Sequence, residues 1–324
     1  MKRLLASAVA FALALGATTS AASATPTPSA AHASTRYRTI AVDGVRIFYR
    51  EAGPVDAPTI LLLHGFPSSS RMFDTLIPLL ADRYHLIAPD YPGFGNSDAP
   101  PPDRFAYTFD HIAALVDRFT EAVGVRRYAL YMNDYGGPVG FRLAMAHPER
   151  ITAMIVQNAV AHEDGLGPAW DSRKAFWRDR AAHEADIRKG FLSLETTKLR
   201  HLGSSPDVER YDPDLWNDEF VFLQRPGEAD IQTDLFYDYR TNVAEYPQWS
   251  AWLRTHRPPL LVLWGRYDPF FAVAEVGAYR RDVPSAEVHL LNGGHFVLDE
   301  ALDESATLIR NFLAVRRIGQ SGAM

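Results

Sequence analysis

Cysteine is absent from all 324 residues. That excludes disulfides, thiolate nucleophiles and cysteine-ligated metals together. An excess of positive charge is absent as well: 33 Lys and Arg stand against 39 Asp and Glu, for a net charge of -6. Binding to phosphate backbones calls for a basic face, so nucleic acid is not an expected partner. Long apolar runs are scarce. The apolar run Leu4–Gly16 falls short of the about 20 residues that a bilayer-spanning helix takes, and no other stretch is long and apolar enough, so no membrane span is expected. There is no His-Glu-x-x-His pattern or comparable carboxylate cluster, and neither a metal nor a cofactor is expected.

What is present suits a globular protein. The composition is 47% hydrophobic and 22% charged, enough to build a sizeable core. Lys2 and Arg3 precede the short apolar run, and Ala22-Ser23-Ala24 offers the small residues that a signal peptidase reads. Residues 1–24 therefore read as a signal peptide, with Ala31-His32-Ala33 as an alternative cut, and the protein as secreted or periplasmic. Residues 25–35, rich in Thr, Pro, Ser and Ala, read as a flexible leader.

From Thr35 the chain alternates short β-branched runs with longer amphipathic ones. Arg36–Val42 and Val45–Ala52 flank Asp43-Gly44, a hairpin signal. Thr59–His64, Tyr84–Pro89, Tyr128–Met132 and Ile151–Gln157 read as buried parallel strands. Phe73–Asp82, Thr108–Val123 and Gly136–His147 read as the helices between them. After residue 157 the rhythm breaks. Trp170, Trp177, Trp216, Trp249 and Trp252, five of the six tryptophans, fall in a strand-free stretch of helical spacing. Such aromatic density argues against disorder. Alternation resumes at Pro259–Gly265, Glu287–Leu291 and a final helix near Leu298–Val315. The fold class is therefore α/β, a mostly parallel sheet flanked by helices. Residues 36–157 and 257–316 form the core, 158–256 a helical cap, and 317–324 a C-terminal tail.

Met132-Asn133-Asp134-Tyr135-Gly136-Gly137 follows one strand and opens one helix. That is the context of a nucleophile elbow, a sharp turn that lifts one side chain above the sheet. Asp134 stands where the serine of Gly-x-Ser-x-Gly would be, and Met132 replaces the first glycine. With His64-Gly65-Phe66-Pro67 and Asp90-Tyr91-Pro92-Gly93-Phe94-Gly95-Asn96-Ser97, the chain resembles the epoxide hydrolase and haloalkane dehalogenase branch of the α/β hydrolases. The resemblance covers nearly all of residues 36–316. It implies the α/β-hydrolase fold, an inserted cap and an aspartate nucleophile.

Chemistry explains the substitution of Asp for Ser. A carboxylate is ionised at neutral pH, so it needs no base before it attacks. Attack on a tetrahedral carbon gives an ester that water can later hydrolyse, so the expected substrate is a small epoxide or alkyl halide. The competing role for Asp134 is as a cap of the following helix. Asn292-Gly293-Gly294-His295-Phe296 follows the last strand, where this fold places its catalytic histidine, and Asp268 in Gly265-Arg266-Tyr267-Asp268-Pro269 would orient that ring. Asp268 could instead be only a turn residue before Pro269. His85, His147 and His289 read as surface residues. The oxyanion hole is expected from the backbone N–H groups of Phe66 and Tyr135.

Epoxides need an acid for the ring oxygen, whereas halides need weak N–H donors. Haloalkane dehalogenases carry Trp after the nucleophile and often Asn after His-Gly; this chain has Tyr135 and Phe66. Tyr237-Asp238-Tyr239-Arg240 resembles the cap stretch of epoxide hydrolases, which implies Tyr239 as the ring-opening acid. Packing within the cap is the other role open to that residue. No second cap tyrosine is evident, and Asn133 stands where His often precedes the nucleophile. A haloalkane or haloacid dehalogenase is the alternative, the latter using His162 with Trp170 or Trp177. A non-catalytic ligand binder of the same fold is a third.

Overall fold

The computed structural model describes residues 34–316 and 318. The expected signal peptide, most of the leader and most of the C-terminal tail lie outside the described residues. Eight strands form one sheet: β1 (Arg36–Val42), β2 (Val45–Ala52), β3 (Thr59–Leu63), β4 (His85–Pro89), β5 (Tyr128–Asn133), β6 (Ile151–Gln157), β7 (Leu260–Gly265) and β8 (Glu287–Leu291). Their order is β1-β2-β4-β3-β5-β6-β7-β8. β1 pairs antiparallel with β2 and β2 with β4, while every later pairing is parallel. The inner strands are buried along nearly their whole length. Both of their faces must therefore be apolar, as their continuous hydrophobic runs provide.

The helices of the described residues are α1 (Leu76–Leu80), α2 (Phe109–Ala122), α3 (Gly136–Ala146), α4 (Asp171–Arg178), α5 (Arg180–Phe191), α6 (Leu194–Leu202), α7 (Asp214–Leu223), α8 (Glu228–His256), α9 (Ala274–Asp282) and α10 (Leu302–Val315). One buried cluster packs α2, α3 and α9 with parts of the inserted segment, and the other packs α1 and α10 on the opposite face. Helices α4 to α8 lie in sequence between β6 and β7. No helix among the described residues is long and apolar enough to cross a membrane.

Three helical expectations change. The helix expected over Phe73–Asp82 is a 3-10 turn, Ser70–Phe73, followed by the five-residue α1. Pro78 explains the break, because its ring would clash with the carbonyl of Asp74 in a continuous helix. The last helix begins at Leu302, after a separate 3-10 turn at Val297–Asp299. Helix α9 was not expected from the sequence. It starts after Val273 with no side-chain cap, so it lacks the usual start signal.

Two glycines let the elbow close. A Cβ at Gly65 would lie 2.5 Å from Asp134 Cβ, and one at Gly136 would lie 2.2 Å from the Leu63 carbonyl oxygen. The second obstacle is sheet backbone, which has little room to move. Gly136→Ala should therefore destabilise the protein by about 1–3 kcal/mol. Gly277, in α9, has nothing within 4 Å of an added Cβ. Gly277→Ala should be neutral or stabilise by up to about 1 kcal/mol. Urea titration of the two variants measures both effects, and equal midpoints would contradict the packing argument.

Candidate active site

Asp134 sits between β5 and α3 with φ of 46°, a left-handed conformation that costs a non-glycine residue free energy and clusters at functional sites. Neighbouring bonds hold it there. Its N–H donates to the Asn158 carbonyl (3.2 Å), and its own carbonyl accepts from Gly137 N–H (2.9 Å). The carboxylate is directed by the loop after β3: Phe66 N–H donates to Asp134 Oδ1 at 2.8 Å. That places one expected oxyanion-hole donor on the aspartate itself, leaving Oδ2 to face the cavity and His295. Tyr135, whose amide was the other expected donor, is the N-cap of α3.

The His-Gly loop is pinned by His64. Its buried ring stacks on Tyr91 with centroids 4.0 Å apart. Burial drives its pKa down to about 3, so it is neutral. Nδ1–H donates to the Gly65 carbonyl (3.1 Å), and Nε2 accepts from Tyr91 N–H (3.2 Å). Asp90 fixes the next loop by accepting from Ser70 N–H and Asn96 N–H.

The structure brings Asp134, His295 and Asp268 together. His295 Nδ1 donates to Asp268 Oδ2 at 2.8 Å, and Nε2 lies 3.5 Å from Asp134 Oδ2. Asp268 is fully held: Oδ2 also accepts from Asn158 Nδ2 (2.7 Å), and Oδ1 accepts from Phe270 N–H (2.8 Å) and Phe271 N–H (3.1 Å). Asn158, unforeseen from the sequence, is a positioning residue. It has φ of 42°, and its Oδ1 accepts from Gly265 N–H, tying the end of β6 to the end of β7 beneath Asp268. Burial alone would lower the His295 pKa, but the two carboxylates outweigh it and lift the value to about 9.

Helix α8 places Tyr239 in the same cavity. Asp238 Oδ2 accepts from Phe109 N–H at the start of α2 (2.8 Å), and Asn242 Oδ1 accepts from Arg142 of α3 (2.7 Å). These bonds fix the face that carries Tyr239. Two turns on, Tyr246 brings its hydroxyl to 3.4 Å from that of Tyr239. Burial raises the Tyr239 pKa well above 10, so the phenol keeps its proton at neutral pH. The cavity is lined by Phe66, Asp134, Tyr135, Trp170, Arg173, Phe191, Arg200, Phe236, Tyr239, Phe270, Phe271 and His295, with a volume of about 30 Å³. A larger cavity of about 400 Å³ includes Ser68, Arg71 and His201 in its lining but neither Asp134 nor His295.

Several residues behave otherwise than the sequence suggests. His162 is not in the cavity lining; it is buried between Glu275 (2.8 Å) and Asp282 (3.0 Å) in an ion cluster. The indole N–H of Trp170 donates to the Phe270 carbonyl, and that of Trp177 to the Phe236 carbonyl. His85 is buried and bonded to Glu51 rather than being a surface residue. Arg173 and Arg200 were missed, because only the fold of the inserted segment brings them to Asp134. Among the described residues, no group of three or more His, Cys, Asp or Glu could hold a metal ion.

The family model for the alpha/beta hydrolase fold matches residues 58–302. The chain is an α/β hydrolase. An uncharacterized hydrolase of Saccharomyces cerevisiae is 40% identical over 269 residues, covering 82% of this chain and 92% of the yeast protein. A haloalkane dehalogenase of Mycobacterium marinum is 38% identical over 276 residues, covering 82% of this chain and 88% of that one. The solved structure of the epoxide hydrolase CorEH superposes with a TM-score of 0.71 over 87% of this chain and 99% of the other, at 19% identity. At that identity the likeness is one of fold. The hydrolase thus belongs to the branch that holds the dehalogenases and epoxide hydrolases.

The charge balance at His295 has a measurable consequence. A raised folded-state pKa means that the imidazolium stabilises the fold below about pH 6.5, and that this contribution is lost as pH rises through about 9. Neutralising Asp134 removes one of the two charges that raise it. In Asp134→Asn, NMR titration should find a lower His295 pKa than in the unsubstituted hydrolase. An equal or higher value would mean that Asp134 does not act on the ring.

Proposed function

We propose that this hydrolase opens epoxides to diols through a covalent ester on Asp134. The observation that carries the reading is the Asp134 carboxylate itself. One oxygen is held by the Phe66 amide and the other faces an imidazole, in a cavity where Tyr239 supplies a protonated phenol. Asp134 Oδ2 attacks a ring carbon, the carbon–oxygen bond breaks, and the ring oxygen takes the Tyr239 proton. Tyr246 stands behind Tyr239 as its hydrogen-bond partner.

The ester then changes the role of His295. Esterified Asp134 carries no charge, so the imidazole loses one of its two stabilising carboxylates and gives up its proton more readily, to restore the Tyr239 phenol that ring opening left as a phenolate. In neutral form it takes a proton from water, and the hydroxide attacks the ester carbonyl. Oδ1 becomes the oxyanion, met by the Phe66 amide, and the Tyr135 amide is the second donor of this reading. Collapse breaks the Cγ–Oδ2 bond and releases a diol that carries Oδ2 away, Oδ2 taking the proton of the carboxylic acid formed at Asp134, while Asp268 steadies the imidazolium.

Halide release is the second reading, favoured by the 38% identity to a haloalkane dehalogenase. Against it stand the indole groups of Trp170 and Trp177, whose N–H bonds are already given to carbonyls. Diol formation from epoxides without halide release from alkyl halides supports the first reading, and the reverse supports the second.

Two variants test the two half-reactions. His295→Gln should gain the mass of one epoxide molecule on Asp134 and turn over slowly, because alkylation needs no base and hydrolysis does. Tyr239→Phe should slow ester formation by about 10²–10⁴-fold. An unmodified His295→Gln chain after prolonged exposure to epoxide would contradict the mechanism.

A further inference from the structure

The cavity at Asp134 contains more hydrogen-bond donors than an epoxide oxygen needs. Arg200, on α6, is only 4% exposed. Its guanidinium stands 4.6 Å from the Phe66 ring centroid and 5.0 Å from that of Phe191. Nη2 donates to the Phe191 carbonyl (3.3 Å), whereas Nη1 is buried with no hydrogen-bond partner among the described residues. Tyr135, beside the nucleophile, has a buried hydroxyl that likewise has no partner. The charges of Arg200 and Arg173 act on that hydroxyl. Arg173, on α4, reaches the same cavity over the rings of Trp170 and Phe270. Two cations and a phenol therefore line one small space.

Burying the Arg200 guanidinium against aromatic walls with Nη1 unbonded among the described residues costs free energy that the walls alone do not return. Burial lowers the pKa of each arginine only to about 10, so both remain charged at neutral pH. Arg200 Nη1 and the Tyr135 hydroxyl, buried without a partner among the described residues, call for an acceptor with several lone pairs. A carboxylate supplies four such sites and a negative charge, and arginine binds it with charge-assisted bonds.

We propose that the substrate of this cavity carries a carboxylate next to its epoxide ring, held by Arg200, Arg173 and the Tyr135 hydroxyl while Asp134 attacks the ring. This rests on the alkyl-aspartate reading above. The chemistry balances as one water added. Oδ2 bonds to a ring carbon, the ring oxygen leaves that carbon and takes the Tyr239 proton, and water at the ester carbonyl frees a dihydroxy acid. The carboxylate group passes through unchanged.

The test compares trans-2,3-epoxybutanoate with the neutral trans-2,3-epoxybutanamide, using the full chain at fixed ionic strength. The acid should have the higher kcat/KM by at least about tenfold, the scale of one charge-assisted hydrogen bond. In Arg200→Gln that ratio should collapse toward one, and Arg200→Lys should restore part of it. Unfolding midpoints of both variants confirm that each is folded. Binding of plain butanoate to Asp134→Asn, followed by calorimetry and compared with the same chain also carrying Arg200→Gln, reads the anion site without any turnover. Equal turnover of acid and amide through an Asp134 ester would overturn the carboxylate proposal and leave the epoxide reading standing. Arg200-dependent butanoate binding with neither epoxide opened would uphold the anion site and overturn the epoxide reading. A ratio that survives in Arg200→Gln would mean that Arg200 does not hold the anion.

Discussion

One buried imidazole shared by two carboxylates is the constraint on which the rest of the site depends. Asp134 and Asp268 both lie against His295 in a largely buried space, where uncompensated charge is costly. Sharing a proton-bearing ring relieves that cost, and the raised pKa of His295 expresses the balance. The same balance gives the proposed reaction its order. While Asp134 is ionised the ring holds its proton; once Asp134 is esterified the ring is free to act as a base. Asn158 and the amides of Phe270 and Phe271, with His295, occupy both oxygens of Asp268 and hold its carboxylate in place.

The inserted helices are coupled to this centre through backbone as well as side chains. His295 N–H donates to the Arg200 carbonyl of α6 (3.3 Å). The next residue, His201, is buried between Glu219 of α7 and Asp299 beyond β8. Burial opposes its charge, yet the two carboxylates lift its pKa to about 10, so it is a cation that ties α6 and α7 to the segment just after His295. At the other end, His162, Glu275, Asp282 and Ser250 join the segment after β6 to α8 and α9. The inserted helices are thereby tied to the segments that follow His295 and Asn158.

Much of this was legible in the sequence, and the reason is locality. Parallel strands buried on both faces leave continuous runs such as Ile60–Leu63 and Leu130–Met132, and the elbow is written in six consecutive residues. His295 and Asp268 follow from their places after the last two strands. Residues whose position depends on how distant segments pack were not legible. Arg173 and Arg200 sit in the helical insertion, where spacing alone does not say which side chains face Asp134, and only the fold of the insertion brings them to its cavity. His85 and His162 gave no sign of burial because their partners, Glu51 and Glu275, lie 34 and 113 residues away in sequence. Helix α9 lacks a capping residue, so its start left no local mark.

The central claim is that Asp134, and not water, makes the first bond to the substrate. A single turnover in heavy-oxygen water, with the peptide around Asp134 and the diol both weighed afterwards, tests it most directly. The account predicts that the diol's new oxygen is light, coming from Asp134 Oδ2, and that the heavy oxygen is retained in the Asp134 carboxylate. Heavy oxygen in the diol, with an unlabelled Asp134, would mean direct attack by water and would contradict the account.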